Sequence, residues 1–433
     1  MLSGLFISIL VVIICLINAS TIKHPLLRSI IVFFVGLYGF QLVLAIWDPY
    51  MVYRISYLTI IVFNFQIVFL VSGAKYYASK KKNQSSSSMS FSWPSIKIGF
   101  PLLCIITYLL YYSFDNYMKM QVILASFGVQ TSLARDYYYT EFFSSYTQNV
   151  LHNIFISFQY IAYFITFSKL FSSKEKIRIP ELYFILATIS ILILTTLTTI
   201  GRGDFLSLIF ILFFFALVSR IYDHNAFKKR AIPIFAIALG VFVAVLIITT
   251  LLRTNNTSID SSYFNELFVE PFATYLYVPI LAFDYGKDSF LNYGHPFLGG
   301  AVLAGFWDFI ITPFAFFDHS FMSFSMNSIL GSRMTPEMYF PSGLSWNALY
   351  TGCSNYYIDF WYLGFIIYPF LHGFILGKLV YGMKRKMSYF IFLSFFFFCS
   401  YKHVVSLGIQ SMQVVFVMVW IYITLHFRII KVE

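Results

Sequence analysis

Stretches of about 20 apolar residues recur along almost the whole chain, and each is long enough to cross a hydrocarbon layer about 30 Å thick as a helix. We count eleven, at residues 2–18, 29–47, 55–73, 96–114, 150–171, 182–200, 205–219, 232–252, 360–379, 388–401 and 409–427. Only 11% of the 433 residues are charged, against about a quarter in soluble domains. We therefore expect an all-α polytopic membrane protein that forms one integral membrane domain over residues 1–433.

Lysine and arginine are unevenly distributed over the segments that join these spans. With the N-terminus outside, 21 of the 29 basic residues fall on the inner side and 8 on the outer side. Because basic residues favour the cytoplasmic side, the sequence predicts an N-out, C-in topology. The net charge of +11 is explained by this asymmetry, so nucleic acid is excluded as a partner.

Two outer segments are too long to be turns, residues 115–149 and residues 253–359. The second stays apolar although proline, glycine and aspartate interrupt it, which predicts helices that lie in the interface or re-enter the membrane. The inner segments are short. We therefore expect chemistry or recognition on the outer side, with the second segment as the cap of the active site.

One outer turn carries an arginine between two glycines, in the sequence Gly201-Arg202-Gly203-Asp204. The glycines permit a tight turn and leave the guanidinium free to approach a large anion. A local ion pair between Arg202 and Asp204 is the alternative. Five of the eight outer basic residues are arginine, against six of 21 inside. Since guanidinium binds phosphate or carboxylate bidentately, this pattern predicts an anionic ligand outside.

Several outer residues are candidates for acid–base chemistry, although most of the carboxylates are expected to be solvated or paired with arginine. The carboxylates are Glu266, Glu270, Asp284, Asp288, Asp308, Asp318, Glu337 and Asp359. His295 and His319 also lie on the predicted outer side, and histidine is a residue type that can act as a base near neutral pH. By contrast, His152 and His372 lie within spans and are expected to be hydrogen-bonded core residues.

No motif for a bound metal or nucleotide occurs in the sequence. The outer segments contain no DxD or ExD pair, and the chain has no HExxH, GxSxG or Walker motif and no CxxC pair among its four cysteines. We therefore predict neither a metal site nor a cofactor, and arginines would neutralise a phosphate unaided.

Five motifs of the second half carry a resemblance to a known family. They are Thr-Ile-Gly-Arg-Gly-Asp-Phe, Leu-Arg-Thr, Tyr-Val-Pro-Ile-Leu-Ala-Phe-Asp, Asn-Ala-Leu-Tyr-Thr-Gly and Tyr-Ile-Asp-Phe-Trp-Tyr-Leu-Gly, at residues 199–205, 252–254, 277–284, 347–352 and 357–364. In their order and spacing they resemble the O-antigen polymerases (Wzy), the oligosaccharide repeat unit polymerases. The similarity covers roughly residues 198–378, and the first five spans match only in hydropathy.

The resemblance implies a GT-C-type glycosyltransferase of the bacterial inner membrane that acts on the periplasmic side. Such enzymes transfer a growing chain from undecaprenyl diphosphate to a new lipid-linked repeat unit, in membrane lipid and with a chain-length regulator (Wzz) as the usual partner. By match to the family, Arg202 and Arg253 contact the diphosphate, with Arg333 and Arg135 as further candidates. For Arg253, a snorkelling side chain at the interface is the alternative. Asp359 matches an Asp-Phe-Gly-like turn, in which Trp361 replaces the glycine.

Attack of a sugar hydroxyl on an anomeric carbon needs a base and stabilisation of charge on the departing diphosphate. Arginines suit the second role, and a direct displacement inverts the anomeric centre, so we predict a metal-independent inverting transfer. The candidate bases are Asp359, Asp284, Glu270 and His295. The candidate sugar contacts are Tyr339, Tyr350, Tyr356 and Asp204, with an interfacial aromatic belt as the alternative for the tyrosines.

Two other functions stay open on these residues. An O-antigen ligase shares the architecture and would transfer the polymer to core sugars. A flippase or transporter of the same lipid-linked oligosaccharide would carry charged residues through the middle of many spans, whereas here the charges gather at the outer ends.

The topology predicts the accessibility of a cysteine introduced by Ser262→Cys. Residue 262 lies in the second outer segment, so a membrane-impermeant thiol reagent should label it from outside only. Labelling in intact cells and in inverted vesicles measures this, and labelling from the inside would overturn the orientation.

Overall fold

The computed structural model describes residues 2–81, 93, 96, 98–127, 137–138, 146–172, 177–199, 203–254, 270–289, 291–334, 337–343, 345–347, 352–383, 387–405 and 411–426. The chain divides into two compact units. Unit 1 comprises Met1–Met89 and Glu270–Met412, and unit 2 comprises Ser90–Val269 and Gln413–Glu433. Both units are discontinuous in sequence, which hydropathy alone does not indicate.

Helices form nearly all of the described structure. In chain order they are α1 (Leu2–Ser20), α2 (Pro25–Trp47), α3 (Tyr57–Lys80), α4 (Phe100–Phe127), α5 (Tyr146–Phe171), α6 (Ile179–Thr199), α7 (Gly203–Tyr222), α8 (Ile232–Thr254), α9 (Glu270–Gly286), α10 (Ala304–Phe317), α11 (Met326–Met334), α12 (Cys353–Phe360), α13 (Gly364–Gly382), α14 (Met387–Val405) and α15 (Met412–His426). Shorter helical turns are His224–Ala226, the π-helical Phe227–Ala231 and the 3-10 segments His319–Phe324 and Trp361–Leu363. Strands β1 (Glu337–Tyr339) and β2 (Ser345–Asn347) form an antiparallel hairpin.

The prediction of an all-α membrane protein is confirmed at the level of helix content and apolar length. A helix overlaps each of the eleven predicted apolar segments. Among the described residues, six helical segments are long and apolar enough to cross a membrane: Leu2–Ser20, Pro25–Trp47, Tyr57–Lys80, Thr147–Phe171, Ile179–Thr198 and Cys353–Gly382. The last of these is the continuous run of α12, the 3-10 segment and α13. Helices suit such segments because they bond every interior backbone N–H and C=O within the segment itself.

The segment that begins at residue 115, which was predicted to be an outer loop, contains more helix than its polarity predicts. Helix α4 continues to Phe127, beyond the predicted span end at Phe114. Asp115 and Lys119 lie on one face of this extension, and their charged atoms are 2.6 Å apart. Such pairs at i and i+4 stabilise an exposed helix slightly, so polar residues extend α4 rather than end it.

The closest packing in unit 1 is between α3 and α13. A side chain at Gly73 would collide with the backbone of Phe370, and one at Gly373 would collide with the backbone carbonyl of Leu70. Gly377 lies against the ring of Tyr77 in the same way. Small residues let helix backbones approach closely where lipid offers no hydrophobic drive for association. These glycines therefore set the distance between α3 and α13.

The directions of neighbouring helices can be read from their contacts. In unit 1, α1 and α3 run parallel, since Ser8 bonds Asn64 and Asn18 bonds Lys75. Helices α3 and α13 are also parallel, since their contacts advance together along both chains. In unit 2, α5 is antiparallel to α6, through Gln159–Thr195 and Lys169–Glu181, and parallel to α15, through Asn153–Gln413 and Ile154–Trp420.

The two histidines expected to be hydrogen-bonded core residues both have a hydrogen-bonding partner inside their own unit. His372 is buried and its Nε2 lies 2.7 Å from the hydroxyl of Ser400, which confirms the prediction for this residue. The Nδ1 of His152 lies 2.8 Å from the hydroxyl of Tyr112, but this histidine is only half-buried.

Replacing Gly373 by alanine should destabilise the protein. The added methyl group has no room against the α3 backbone, and overpacking of this kind costs about 1–3 kcal/mol. Gly36 of α2 has no heavy atom within 4 Å of the position of an added Cβ, so Gly36→Ala is the matched control. Thermal unfolding in detergent should show a lower midpoint for Gly373→Ala only. Equal midpoints for the two variants would contradict the close crossing.

Candidate functional site

Four segments, made of loops together with helix ends and strand β1, meet at one end of unit 1. We call these segments the loop cluster: residues 48–56, 284–303, 337–343 and 356–363. The buried ring of Phe283 ties the cluster to the helices below, because it lies 5.7 Å from Phe63, 5.5 Å from Phe365 and 5.6 Å from Tyr357. Seven of the candidate residues from the sequence fall in this cluster: Asp284, Asp288, His295, Glu337, Tyr339, Tyr356 and Asp359.

Asp284 joins the end of α9 to the beginning of α3. Its carboxylate accepts hydrogen bonds from the backbone N–H and the hydroxyl of Ser56, both at 2.6 Å, and from the hydroxyl of Thr59 at 2.5 Å. Lys287 forms an ion pair with it and also donates to Ser56 Oγ at 3.0 Å. Asp284 is 3% exposed and Lys287 7% exposed, so this network is closed to solvent.

The environment of Asp284 holds it in the charged form. Burial on its own would raise the pKa of this carboxyl group. The hydrogen bonds from Lys287, Ser56 and Thr59 favour the carboxylate and outweigh burial, so the pKa lies below its ordinary value. Asp284 is therefore a poor proton acceptor in this arrangement, and its role in the structure is to hold the two helix ends together.

Asp359 performs a similar task at the corner between α12 and α13. Its carboxylate accepts hydrogen bonds from the backbone N–H groups of Ala301 and Val302, at 2.7 and 2.9 Å, and from the hydroxyl of Tyr368 at 2.7 Å. Its backbone carbonyl accepts a further bond from Leu298 N at 3.1 Å. The residue is fully buried. Asp359 thus fastens the loop that follows α9 to the corner.

Two residues beside Asp359 have strained backbones. Leu298 has φ +53 and Trp361 has φ +50, in the left-handed region that side chains other than glycine rarely adopt. Both side chains are largely exposed, at 72% and 48%. Each such conformation costs of order 1–3 kcal/mol and persists only where surrounding contacts impose it. The hydrogen bonds of Asp359 supply those contacts, and Trp361 occupies the position where the family resemblance expects glycine.

Among the candidate bases whose side chains are described, His295 is the one that is open to solvent. It lies in a turn in which Asn292 Oδ1 accepts a hydrogen bond from Gly294 N at 3.0 Å. The ring of Phe297 lies 5.1 Å from its imidazole, and the side chain is exposed. Phe297 N donates to Ile358 O at 3.1 Å, which ties the turn to the corner. His295 is therefore an accessible imidazole on an anchored loop.

Three rings from separate segments form an aromatic cluster that sequence reasoning missed, in which Tyr53 and Tyr285 are partly exposed and Phe340 is buried, at 3% exposure. Tyr53 lies 5.4 Å from Tyr285 and 6.0 Å from Phe340, and the last two rings are 5.5 Å apart. Tyr285 is 38% exposed, and the carboxylate of Asp288 is exposed within electrostatic range of Tyr53. The predicted sugar contact Tyr339 is adjacent to Phe340 and is 64% exposed. These residues lie far apart in the chain, so no spacing in the sequence indicates that their rings meet.

The remaining predicted site residues are described only in part. Arg202, Arg135 and Tyr350 lie outside the described residues. Arg253, Arg333, Glu270 and Asp204 lie in α8, α11, α9 and α7, and only their backbones are described. Arg202, Arg253, Arg135 and Asp204 belong to unit 2, whereas the four candidate bases belong to unit 1. Tyr356, in contrast, is a buried residue stacked 4.8 Å from Tyr368.

Within the described part of the chain, no three His, Cys, Asp or Glu side chains are grouped to hold a metal ion. The buried carboxylates instead take their donors from the protein. Asp308, for example, accepts hydrogen bonds from Met326 N at 2.7 Å and from Asn327 Nδ2 at 2.6 Å, which caps α11. Carboxylates in this unit thus act mainly as anchors for helix ends and loops.

Because of the Asp284 network, the stability of the folded protein should depend on pH. Because its pKa is lower in the folded protein than in the unfolded chain, its stabilisation is complete above the ordinary value of 3.8 and is lost as the pH falls from there through the folded pKa. Thermal midpoints measured between about pH 6 and pH 2 should fall more steeply in the wild type than in Asp284→Asn, which has no carboxyl group there. Parallel curves for the two proteins would contradict the lowered pKa.

Comparison with known proteins returns no match: no family model, no curated protein and no solved structure is similar to this chain. The resemblance to O-antigen polymerases that its sequence motifs carry therefore stays a prediction. The function of the chain is a proposal, supported by those motifs, the distribution of charge and the geometry of the loop cluster.

Proposed function

We propose that this protein polymerises undecaprenyl-diphosphate-linked oligosaccharide repeat units into O-antigen or a related surface polysaccharide. It acts as an eleven-span, N-out, C-in glycosyltransferase of GT-C type at the periplasmic face of the bacterial inner membrane. The transfer inverts the anomeric centre and uses no metal ion, and a chain-length regulator of the Wzz type is its partner.

The segregation of arginine from lysine in an apolar all-α chain carries this proposal. Arginine predominates among the outer basic residues and lysine among the inner ones. A membrane protein that only needed orientation would gain nothing from arginine outside, whereas a diphosphate is bound by planar guanidinium groups. The relative helix directions inside each unit are those that the proposed topology requires, which supports it further.

The arginines bind and stabilise the leaving diphosphate. Arg202 follows Gly201 and precedes Gly203 in the sequence between α6 and α7, and Arg253 lies in the last turn of α8. The proposed topology places both residues on the outer side. Positioned donors that meet developing negative charge in a site of low dielectric contribute about 10² to 10³ in rate each. Arg333 and Arg135 are further contacts in the two outer segments.

His295 is the base that the geometry favours. Asp284 and Asp359 have their carboxylate oxygens occupied by protein donors and are closed to solvent, so they position the loops. His295 is exposed, sits on a loop that the corner anchors, and belongs to a residue type that accepts protons near neutral pH. Glu270, at the first residue of α9, is the second candidate.

The partly exposed rings of Tyr53 and Tyr285, which pack on the buried Phe340, provide a contact for sugar rings. Aromatic faces pack against the C–H faces of sugars, and the neighbouring Asp288 carboxylate accepts hydrogen bonds from hydroxyls. The exposed Tyr339, at the end of β1, is a further candidate contact. The hydrogen bonds and the ion pair of Asp284 hold Ser56 and α9 in place. The nearby Tyr53 and Tyr285 are therefore positioned before a glycan binds, and binding carries no entropic cost of ordering them.

The arrangement of charge favours a polymerase over a flippase. In α1, α2, α3, α5 and α6, Arg, Lys, Asp and Glu occur only near helix ends, at Arg28, Lys75, Lys80, Lys169 and Glu181. A path for a charged headgroup through the bilayer would require such groups at mid-depth. An O-antigen ligase shares the architecture and differs in its acceptor, so the product distinguishes it.

Loss of Arg202 or Arg253 should abolish chain growth. A deletion strain complemented with the wild-type gene should display a ladder of surface polysaccharide on a gel, and Arg202→Ala or Arg253→Ala should leave products with one repeat unit. The expected fall in rate is about 10²-fold or more for each arginine. Unchanged ladders would remove both residues from the site, and the absence of any effect of the deletion on polysaccharide length would refute the proposed function.

Arg220→Ala is the matched control for these variants. Arg220 is an exposed arginine at the end of α7 that the topology places inside. Arg220→Ala also removes an arginine side chain, but at the opposite end of α7 from Arg202. This variant should therefore leave the ladder intact. Immunoblots of membrane fractions verify that all variants accumulate to the same level.

A further inference from the structure

Helix α10 carries its large apolar side chains on the side that faces away from the protein. Its buried residues are mostly small or polar: Ala304, Gly305, Asp308, Ile311, Thr312 and Ala315. Every exposed residue of this helix is apolar: Trp307, Ile310, Pro313, Phe314, Phe316 and Phe317. The exposed fractions of the four aromatic side chains and of Ile310 run from 49% to 93%. A surface helix of a soluble protein has the opposite arrangement, with its apolar side toward the core.

After α10 the chain turns back and runs alongside the helix. The ring of Phe321 lies 5.7 Å from the ring of Phe314 and 6.2 Å from that of Phe324. Trp307 Nε1 donates to the backbone carbonyl of Phe324 at 3.2 Å. Phe321 and Phe324 are exposed, so the returning segment places two further rings beside the exposed rings of α10. We call residues 304–326 the apolar hairpin.

Both ends of the apolar hairpin are fastened to the loop cluster. Just before it, the backbone N–H groups of Ala301 and Val302 donate to the carboxylate of Asp359. Just after it, the carbonyl of Leu330 in α11 accepts a hydrogen bond from the hydroxyl of Tyr293 at 3.0 Å. The 14 residues of α10 extend about 21 Å, less than a hydrocarbon layer of about 30 Å. The hairpin therefore leaves the loop cluster and returns to it without crossing a membrane.

Two contacts join the hairpin to apolar helices of unit 1. In α10, Thr312 Oγ1 lies 3.3 Å from Sδ of Met412, the first residue of the apolar helix α15. Asp359, which binds the segment just before the hairpin, lies within Cys353–Gly382, a helical segment long and apolar enough to cross a membrane. The apolar hairpin thus packs directly beside the helices that give this chain its membrane character.

The composition of the outward side indicates what covers it. Large exposed apolar patches mark either a membrane contact or a protein interface. A protein interface has a polar rim, whereas the exposed residues of α10 are apolar without exception. Hydrocarbon requires such a surface, because a polar group turned toward it would forfeit its hydrogen bonds. Lipid chains therefore fit the outward side of α10 better than water or a second protein.

We propose that the apolar hairpin is embedded in the bilayer leaflet on the side of the loop cluster, with the outward side of α10 against lipid hydrocarbon. Asp318, exposed at the turn after α10, requires water or headgroups, so the hairpin lies along the membrane surface. Because both ends of the hairpin are fastened to the loop cluster, this contact holds the cluster at the level of the lipid headgroups. The inference concerns the membrane contact and is independent of the activity proposed above.

Spin labels on α10 test the contact with lipid. Cysteines from Ile310→Cys, Phe314→Cys and Phe317→Cys are labelled one at a time in the full-length protein in lipid nanodiscs, in a Cys104→Ser background that lacks the exposed native cysteine. Power saturation should show frequent collision with oxygen, which dissolves in hydrocarbon, and several-fold less collision with a water-soluble nickel chelate. Ser342→Cys, on the exposed turn between β1 and β2, is the control and should show the reverse.

The same measurement distinguishes the other two surroundings of the hairpin. Infrequent collision with both reagents would mean that protein covers α10, as in contact with a second copy of the chain. Frequent collision with the nickel chelate would mean that water surrounds it. Either result at all three positions would overturn the proposal.

The substitution Ile310→Glu gives a second test, whose sign separates lipid from water. Glutamate has a higher helix propensity than isoleucine, so at a position in water the change should leave the Tm unchanged or raise it. Against hydrocarbon an ionisable side chain is costly, so the Tm in nanodiscs should fall by several degrees. Ile310→Leu keeps the side chain apolar and is the matched control, with an unchanged Tm. A Tm for Ile310→Glu at or above that of the wild type would refute the lipid contact.

Discussion

The contact between the backbones of α3 and α13 organises the rest of unit 1. Lipid offers little hydrophobic drive for helix association, so contact depends on how closely two backbones can approach. Gly73 and Gly373 remove the side chains that would separate them. Because the two helices run parallel, their beginnings also lie together, and the Ser56 end of α3 is brought beside the corner that precedes α13. The loop cluster exists because of that parallel crossing.

Within the cluster, carboxylates connect segments that are far apart in the chain. Asp284 connects α9 to the beginning of α3, and Asp359 connects the loop after α9 to the α12–α13 corner. Each is buried and accepts at least three hydrogen bonds from protein donors, which offsets the cost of removing the carboxyl group from water. Because both oxygens of each group already accept such bonds, neither group is well placed to take a proton from a substrate. Acid–base chemistry is thereby left to exposed groups such as His295.

The sequence predicted the helices well, whereas its site residues stay predictions. Apolar runs of helix-spanning length locate α1, α2 and α3, because in lipid a continuous apolar segment has few alternatives to a helix. The extension of α4 was missed because polar residues such as Asp115 and Lys119 were read as the end of a span. The roles of Asp284 and Asp359 could not be predicted, since a carboxylate in a motif looks the same whether it faces substrate or backbone donors.

The sequence by itself determined the class of the protein, the positions of its apolar helices and the segregation of arginine from lysine. Those properties are local or additive, because hydropathy and charge sum along the chain. Only the tertiary structure decided which residues meet. It joined residues 1–89 to residues 270–412 in one unit, assembled Tyr53, Tyr285 and Phe340 into one aromatic cluster, and buried Ser354 and Asn355. Such contacts depend on how helices cross, and no period in the sequence encodes that geometry.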